Sequence, residues 1–160
     1  MKNILLLLLV LQIISFKQIV NIPDANFKAY LVRNTAINTN GDTEIQVSEA
    51  SSFNDTIDFS AQEISDLTGI EAFTALTTLY CDNNQLRSLD VSKNTALTTL
   101  YCGYNQLRSL DVSKNKALTR LWCQVNQLTS LDVSKSKALT ELYCVDNNFD
   151  CYYLMEELGF

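Results

Sequence analysis

The fold is decided by Leu76-TTLYCDNNQLRSLDVSKNTA, followed without a break by Leu97-TTLYCGYNQLRSLDVSKNKA and Leu118-TRLWCQVNQLTSLDVSKSKA. The period is 21 residues, and a degenerate fourth copy starts at Leu139. A weaker copy lies upstream, where Ile57 and Phe59 precede Leu79 and Cys81 by 22 residues. A fixed period of this length predicts a solenoid, in which each turn stacks on the next.

Each unit fits the pattern L-x-x-L-x-L-x-x-N-x-L, with cysteine in place of the third leucine. This spacing resembles that of leucine-rich repeats. The segment ISDLTGIEAFTAL (64–76) resembles the bacterial internalin-like branch, and LDVSKNTALT (89–98) resembles secreted Gram-negative proteins of the same superfamily. The resemblance covers residues 57–148. It implies an α/β solenoid that winds as a right-handed superhelix, with a parallel sheet on its concave face.

Alternation of side chains supports the same fold. Leu79 and Cys81 point inward and Tyr80 points outward, so that stacking turns about 4.8 Å apart buries a continuous apolar core. We expect Leu86, Leu89, Val91 and Ala96, with their equivalents, to fill the rest of this core. The repeated asparagines are predicted to form a structural ladder that satisfies backbone groups where the chain leaves the sheet: Asn84, Asn105, Asn126 and Asn147. A turn of 21 residues leaves room only for short 3₁₀ or irregular structure on the convex side.

The chain divides into three parts. Residues 1–18 are predicted to be a signal peptide, because Met1-Lys2-Asn3 precedes a 13-residue apolar run that is short for a bilayer span; an uncleaved membrane tether is the alternative. Residues 19–56 are an N-terminal cap with a helix that begins near Pro23 and Asp24 and presents Phe27, Tyr30 and Leu31 on one face. Residues 57–160 are the solenoid, about five turns. Its last turn caps the end with a helix over 152–158, on which Tyr152, Met155 and Leu158 form a stripe.

Four cysteines recur at the period of 21: Cys81, Cys102, Cys123 and Cys144. Parallel side chains in a column are too far apart at Cβ for the disulfide geometry, and they do not converge on a metal ion. We therefore interpret them as buried free thiols that fill the core. Cys151 is expected to be more exposed, and a Cys144–Cys151 bridge is the alternative.

Residues 38–49 resemble an EF-hand loop, with oxygen ligands at Asn38, Asn40, Asp42, the Glu44 carbonyl and Glu49. Position one is asparagine and position six is threonine, where the loop prefers aspartate and glycine. The sequence therefore gives a weak calcium candidate, and the alternative is a cap loop that is rich in turn residues. No other cofactor is predicted.

An aromatic residue takes the same outward strand position in four consecutive repeats: Tyr80, Tyr101, Trp122 and Tyr143. Arg120 and Glu141 lie beside this column, and Tyr104 lies further along. We interpret these residues as a partner-binding surface, because aromatic side chains stack on sugars and anchor protein interfaces. The alternative is that the rings only stabilise one another.

Composition excludes several classes of function. The chain has no histidine, so that a Ser-His-Asp or Cys-His mechanism cannot be built, and no enzyme is predicted. Its net charge is −6, and the eight basic residues between residues 76 and 138 form no dense stripe for nucleic acid. The predicted function is an exported scaffold, secreted, periplasmic or on the cell surface, that binds a protein or peptide through its concave face. A carbohydrate-binding or adhesion module and a purely structural fragment of a larger surface protein are the alternatives, and self-association through one end is left open.

Overall fold

The computed structural model describes residues 18–159, apart from the side chains of residues 157 and 158. The predicted signal peptide lies outside the described residues, except for Gln18. Within the described part, no helix combines the length and the apolar character that a membrane crossing requires.

Five short parallel strands form a single sheet in sequence order: β1 (Thr56–Asp58), β2 (Thr78–Tyr80), β3 (Thr99–Tyr101), β4 (Arg120–Trp122) and β5 (Glu141–Tyr143). Equivalent repeat positions pair across each step, as in Leu79 with Leu100 and Leu100 with Leu121. The central residue of every strand is buried, while the residues on either side point outward. The predicted parallel-sheet solenoid is therefore confirmed.

The connections from one strand to the next contain little regular structure. A 3₁₀ turn, Ile70–Ala72, is the one helical element between β1 and β5, and the later turns are irregular. This agrees with the convex side that a 21-residue period predicts.

The N-terminal cap contains two helices, α1 (Ala25–Arg33) and α2 (Val47–Ser52). Asp24 begins α1, since its Oδ1 accepts hydrogen bonds from the N–H groups of Asn26 and Phe27. Phe27 is fully buried, and its ring packs edge-on against Phe59 of the first turn at 5.3 Å between centroids. Oδ2 of Asp24 accepts from Ser65, which ties the start of α1 directly to the solenoid.

Helix α3 (Cys151–Leu158) follows the last strand. The predicted stripe is wrong at Tyr152, which is 71% exposed, and right at Met155, which packs inward together with Cys151 and Leu154. The side chain of Leu158, its third member, lies outside the described residues. The helix begins one residue earlier than predicted because Oδ1 of Asp150 accepts the N–H of Tyr153 and caps it.

One prediction about the core is wrong. Ala96 is half-buried and its equivalents Ala117 and Ala138 are exposed, whereas Asn94 is completely buried. Nδ2 of Asn94 donates to the carbonyls of Ile70 and Phe73 in the preceding turn. A second polar column, Asn94, Asn115 and Ser136, therefore runs through the convex side of the core.

Candidate functional site

The asparagines after the strands connect each turn to the previous one. Nδ2 of Asn126 donates to the carbonyls of Cys102 and Cys123, and its Oδ1 accepts the N–H of Leu107. Asn105 makes the same set of contacts one turn earlier, with Cys81, Cys102 and Leu86. Each cysteine carbonyl between two turns thus accepts from two asparagines, and the ladder holds the strands in register.

Cys81, Cys102 and Cys123 are free and buried. Burial raises the pKa of Cys123 to about 12 and raises the pKa of the other two further, so all three thiols are protonated at neutral pH. They act as small apolar side chains in the core.

The free-thiol interpretation is wrong for Cys144, which forms a disulfide with Cys151. Cys151 is only 4% exposed, contrary to expectation, because α3 turns back over the last strand and brings it to the end of the cysteine column. The bridge fixes α3 to the solenoid.

The outer face of the sheet, here called the sheet face, carries the aromatic column. The Tyr101 and Trp122 rings are stacked, with 4.3 Å between centroids and 9° between planes. Tyr80 tilts by 49° against Tyr101, and Tyr143 tilts by 58° against Trp122. The four rings therefore contact their neighbours along the column, and they are not all parallel to one another.

Exposure increases along the column towards its C-terminal end. Tyr80 and Tyr101 are half-buried, while Trp122 and Tyr143 are 37% and 45% exposed. Burial raises the pKa of Tyr101, and the neighbouring Tyr80 and Glu141 add to this shift, so its phenol is neutral at physiological pH. The accessible aromatic surface is the Trp122–Tyr143 end.

Arg120 and Glu141 lie side by side on the sheet face, with 3.5 Å between Arg120 Nε and Glu141 Oε1. Both side chains are about half exposed, so this ion pair contributes little to stability. Tyr104 lies apart from the column, beyond the end of β3. It is 51% exposed and has a left-handed backbone with φ of 52°.

Two further residues of the sheet face were missed by sequence reasoning. Gln124 lies flat over Gly103, where an added Cβ would come within 2.7 Å of the Gln124 carboxamide carbon. Gln124 is only 8% exposed, and within the described residues its Oε1 has no hydrogen-bond partner. A signal was present, because Gly103 lies just past the end of β3 at a position where the other repeats carry a larger residue, and a glycine next to a strand can mark a close approach of another group.

The calcium candidate folds into a loop whose oxygens already accept hydrogen bonds from the protein. The Glu49 carboxylate accepts the N–H groups of Thr39, Asn40 and Gln46, and Glu44 pairs with Lys28 at 2.7 Å. Burial raises the pKa of Glu49, but these N–H donors outweigh it and the net pKa lies below 4.5.

The other candidate ligands are engaged in the same way. Asn38 Oδ1 accepts the N–H of Gly41, Asn40 Oδ1 accepts that of Asp42, and Asp42 Oδ1 accepts that of Glu44. Within residues 18–159, no three histidine, cysteine or acidic side chains are grouped closely enough to hold a metal ion. The loop is thus closed by internal hydrogen bonds, with Glu49 at its centre.

Comparison with known proteins agrees with this architecture. Residues 74–115 match the family "Leucine Rich repeats (2 copies)". The functional domain of InlJ from Listeria monocytogenes, described as including a cysteine ladder, is 36% identical with a TM-score of 0.71. The internalin inlF from the same organism is 21% identical with a TM-score of 0.65, which supports the fold alone. No match is found among curated proteins.

The alignments cover 82% and 84% of this chain but only 30% and 39% of the InlJ and inlF chains. The chain therefore corresponds to less than half the length of either. Its repeats and its parallel sheet give it the fold of a leucine-rich-repeat solenoid, similar to the folds of these internalin structures.

Proposed function

We propose that the chain is an exported binding scaffold whose sheet face engages a protein or a peptide. The observation that carries this proposal is the Trp122–Tyr143 end of the aromatic column, where two large rings remain exposed on a rigid sheet. Stacked repeats present extended binding surfaces of this kind, and exposed aromatic side chains are the usual anchors of protein interfaces.

The orientation of the rings favours a protein over a carbohydrate. Sugars stack on a free aromatic face, but the faces of Tyr101 and Trp122 are turned towards each other. The pair therefore presents ring edges to a ligand, which suits apolar side chains. Carbohydrate binding is kept as an outcome of the test.

Two features support export. The cationic start and apolar run of residues 1–16 are typical of a secretory signal. The Cys144–Cys151 disulfide is a bond that persists in oxidising compartments such as the periplasm or the cell exterior. We therefore place the protein outside the cytoplasm, either free or at the cell surface.

A binding role without catalysis completes the proposal. The chain has no histidine, and the cysteine thiols at 81, 102 and 123 are buried and protonated, so they are not nucleophiles. The residues of the sheet face are suited to recognition.

The sheet face can be tested directly because Trp122 is the only tryptophan. The purified chain is used to select binders from a peptide display library and is applied in parallel to a glycan array. Selected peptides are expected to shift the Trp122 emission to shorter wavelength and to protect it from iodide quenching. Trp122→Ala with Tyr143→Ala should weaken these peptides about tenfold or more, as expected for the loss of interface anchors.

The matched control replaces two aromatics of similar or greater exposure on α3, Tyr152→Ala with Tyr153→Ala, and should leave binding unchanged. If the variant with Trp122→Ala and Tyr143→Ala bound the selected peptides as tightly as the wild type, the sheet face would not be their binding site. Ligands found only on the glycan array would instead favour the carbohydrate-binding module. No ligand in either screen would favour a structural role.

A further inference from the structure

A second surface lies beyond the ends of the strands, where two arginines recur one turn apart. Leu86 and Leu107 are completely buried, and their N–H groups are held by the Asn105 and Asn126 side chains at 3.0 and 2.9 Å. The N–H of Gln106 donates to the Leu86 carbonyl at 2.8 Å, which fixes the two turns in register. The residues that flank each buried leucine point outward, so the ladder presents the arginines from a rigid backbone.

These flanking residues enclose an open cavity of about 430 Å³, lined by Arg87, Gln106, Arg108 and Gln127. We name it the arginine rim. All four side chains carry N–H donors, and none is a carboxylate. Within the described part of the chain, neither guanidinium has an ion pair or a side-chain hydrogen bond. The rim therefore offers two positive charges whose donors are unused.

The spacing of the two positive charges determines which anion can bind between them. Adjacent turns lie about 5 Å apart, so the two guanidinium groups can approach one anion from both sides. Arginine is charged at every physiological pH and donates in a fork that matches phosphate and carboxylate oxygens. A carboxylate carries one charge and leaves one arginine unbalanced. A phosphate monoester or sulfate ion carries up to two charges and more acceptor oxygens.

We propose that the arginine rim binds a doubly charged tetrahedral oxyanion, such as a phosphate group or a sulfate ion, between Arg87 and Arg108. The two glutamine carboxamides donate to the remaining oxygens or to the group that carries the anion. This site is separate from the sheet face and does not depend on the proposed partner there. Both arginines are exposed, so replacing them leaves the core intact.

The test titrates the purified chain with sodium sulfate, sodium phosphate and sodium acetate at constant ionic strength, with calorimetry and the Arg Nε–H resonances as readouts. Sulfate and phosphate are expected to bind at pH 7.5 and acetate much more weakly. Arg87→Gln with Arg108→Gln should weaken both dianions about tenfold or more, because hydrogen bonds to charged groups are lost. Lowering the pH from 7.5 to 5.5 should weaken phosphate, whose second pKa is about 6, and leave sulfate unchanged.

The control removes the same charge elsewhere, with Lys114→Gln and Lys135→Gln, which are exposed residues of the same repeats. This variant should bind sulfate like the wild type. Thr129→Arg, which extends the row by one turn, should bind it more tightly. Equal losses in the lysine and arginine variants, equal affinity for acetate, or no sulfate binding by the folded wild type would each overturn the proposal.

Discussion

Replacing Asn126 by alanine tests the asparagine ladder. The side chain donates to the Cys102 and Cys123 carbonyls at 3.0 and 3.1 Å and accepts the buried Leu107 N–H at 2.9 Å. Both carbonyls keep a second donor from a neighbouring asparagine, but the Leu107 N–H has no other partner among the described residues. An unsatisfied buried N–H costs about 1–3 kcal/mol, and two lost hydrogen bonds add about 1 kcal/mol each.

We therefore expect Asn126→Ala to reduce the free energy of unfolding by about 3–5 kcal/mol. Urea unfolding followed by far-ultraviolet circular dichroism and by Trp122 fluorescence measures it, and agreement of the two probes checks that the solenoid unfolds as one unit. Gln127→Ala is the control, because this exposed neighbour makes no side-chain hydrogen bond within the described residues. A loss below about 1 kcal/mol for Asn126→Ala would refute the assignment of the ladder as a stabilising element.

Asn126→Asp adds a test with a defined sign. An aspartate at this position points one oxygen at the carbonyls of Cys102 and Cys123, which raises its pKa in the folded state. The charged form therefore destabilises the fold at neutral pH, and the folded carboxyl regains a proton, and with it a donor, at a pH above the unfolded pKa of about 3.9. The deficit relative to wild type should shrink as the pH falls from 7 to 4, and a constant deficit would contradict this reasoning.

Further predictions concern strain, the disulfide and the cap loop. Val125 has φ of 52°, a conformation that is strained for valine and less so for asparagine. Val125→Asn should therefore raise the free energy of unfolding by about 1 kcal/mol, and Asn83→Val at the equivalent position should lower it similarly. Cys151→Ser should cost about 2 kcal/mol and speed hydrogen exchange in α3 while the central strands stay protected. Because the folded-state pKa of Glu49 is lowered, its carboxylate stabilises the fold fully above pH 4.5, and this stabilisation is lost as the pH falls through the folded-state pKa. Glu49→Gln should therefore make the melting temperature less dependent on pH in the acidic range. Calcium added after chelation should leave the melting temperature unchanged, since Glu49 would have to give up its hydrogen bonds; a rise would assign a calcium site.

The sheet was predictable because the constant repeat length determines which residues pair across neighbouring strands. Leu79, Leu100 and Leu121 recur at one spacing, and alternation around them fixes which side chains point inward. The burial of Asn94 was not predictable in this way. Its donors reach carbonyls of the preceding turn, a contact that no single repeat contains, while Ala96 appeared to be the core residue because it is apolar.

In the candidate site, too, some features follow from the sequence pattern and others depend on tertiary contacts. The outward positions of Tyr101 and Trp122 follow from the pattern, but their stacking depends on rotamers that the spacing does not determine. Parallel neighbours within the cysteine column have side chains that are too far apart at Cβ for a disulfide. Cys151 comes from a helix that crosses the end of the column, so the bridge to Cys144 required tertiary placement.

The one-to-one register of the strands spaces equivalent side chains at a constant interval along the molecule. Each turn from β2 to β5 adds one ring to the aromatic column, and the turns that begin with β2 and β3 each add one arginine to the arginine rim, at intervals of about 5 Å. A turn contacts only its neighbours, so duplication of one unit lengthens both surfaces together without disturbing the rest. The second and third turns are near-identical, as duplication of one unit would make them. The number of copies sets the length of both surfaces.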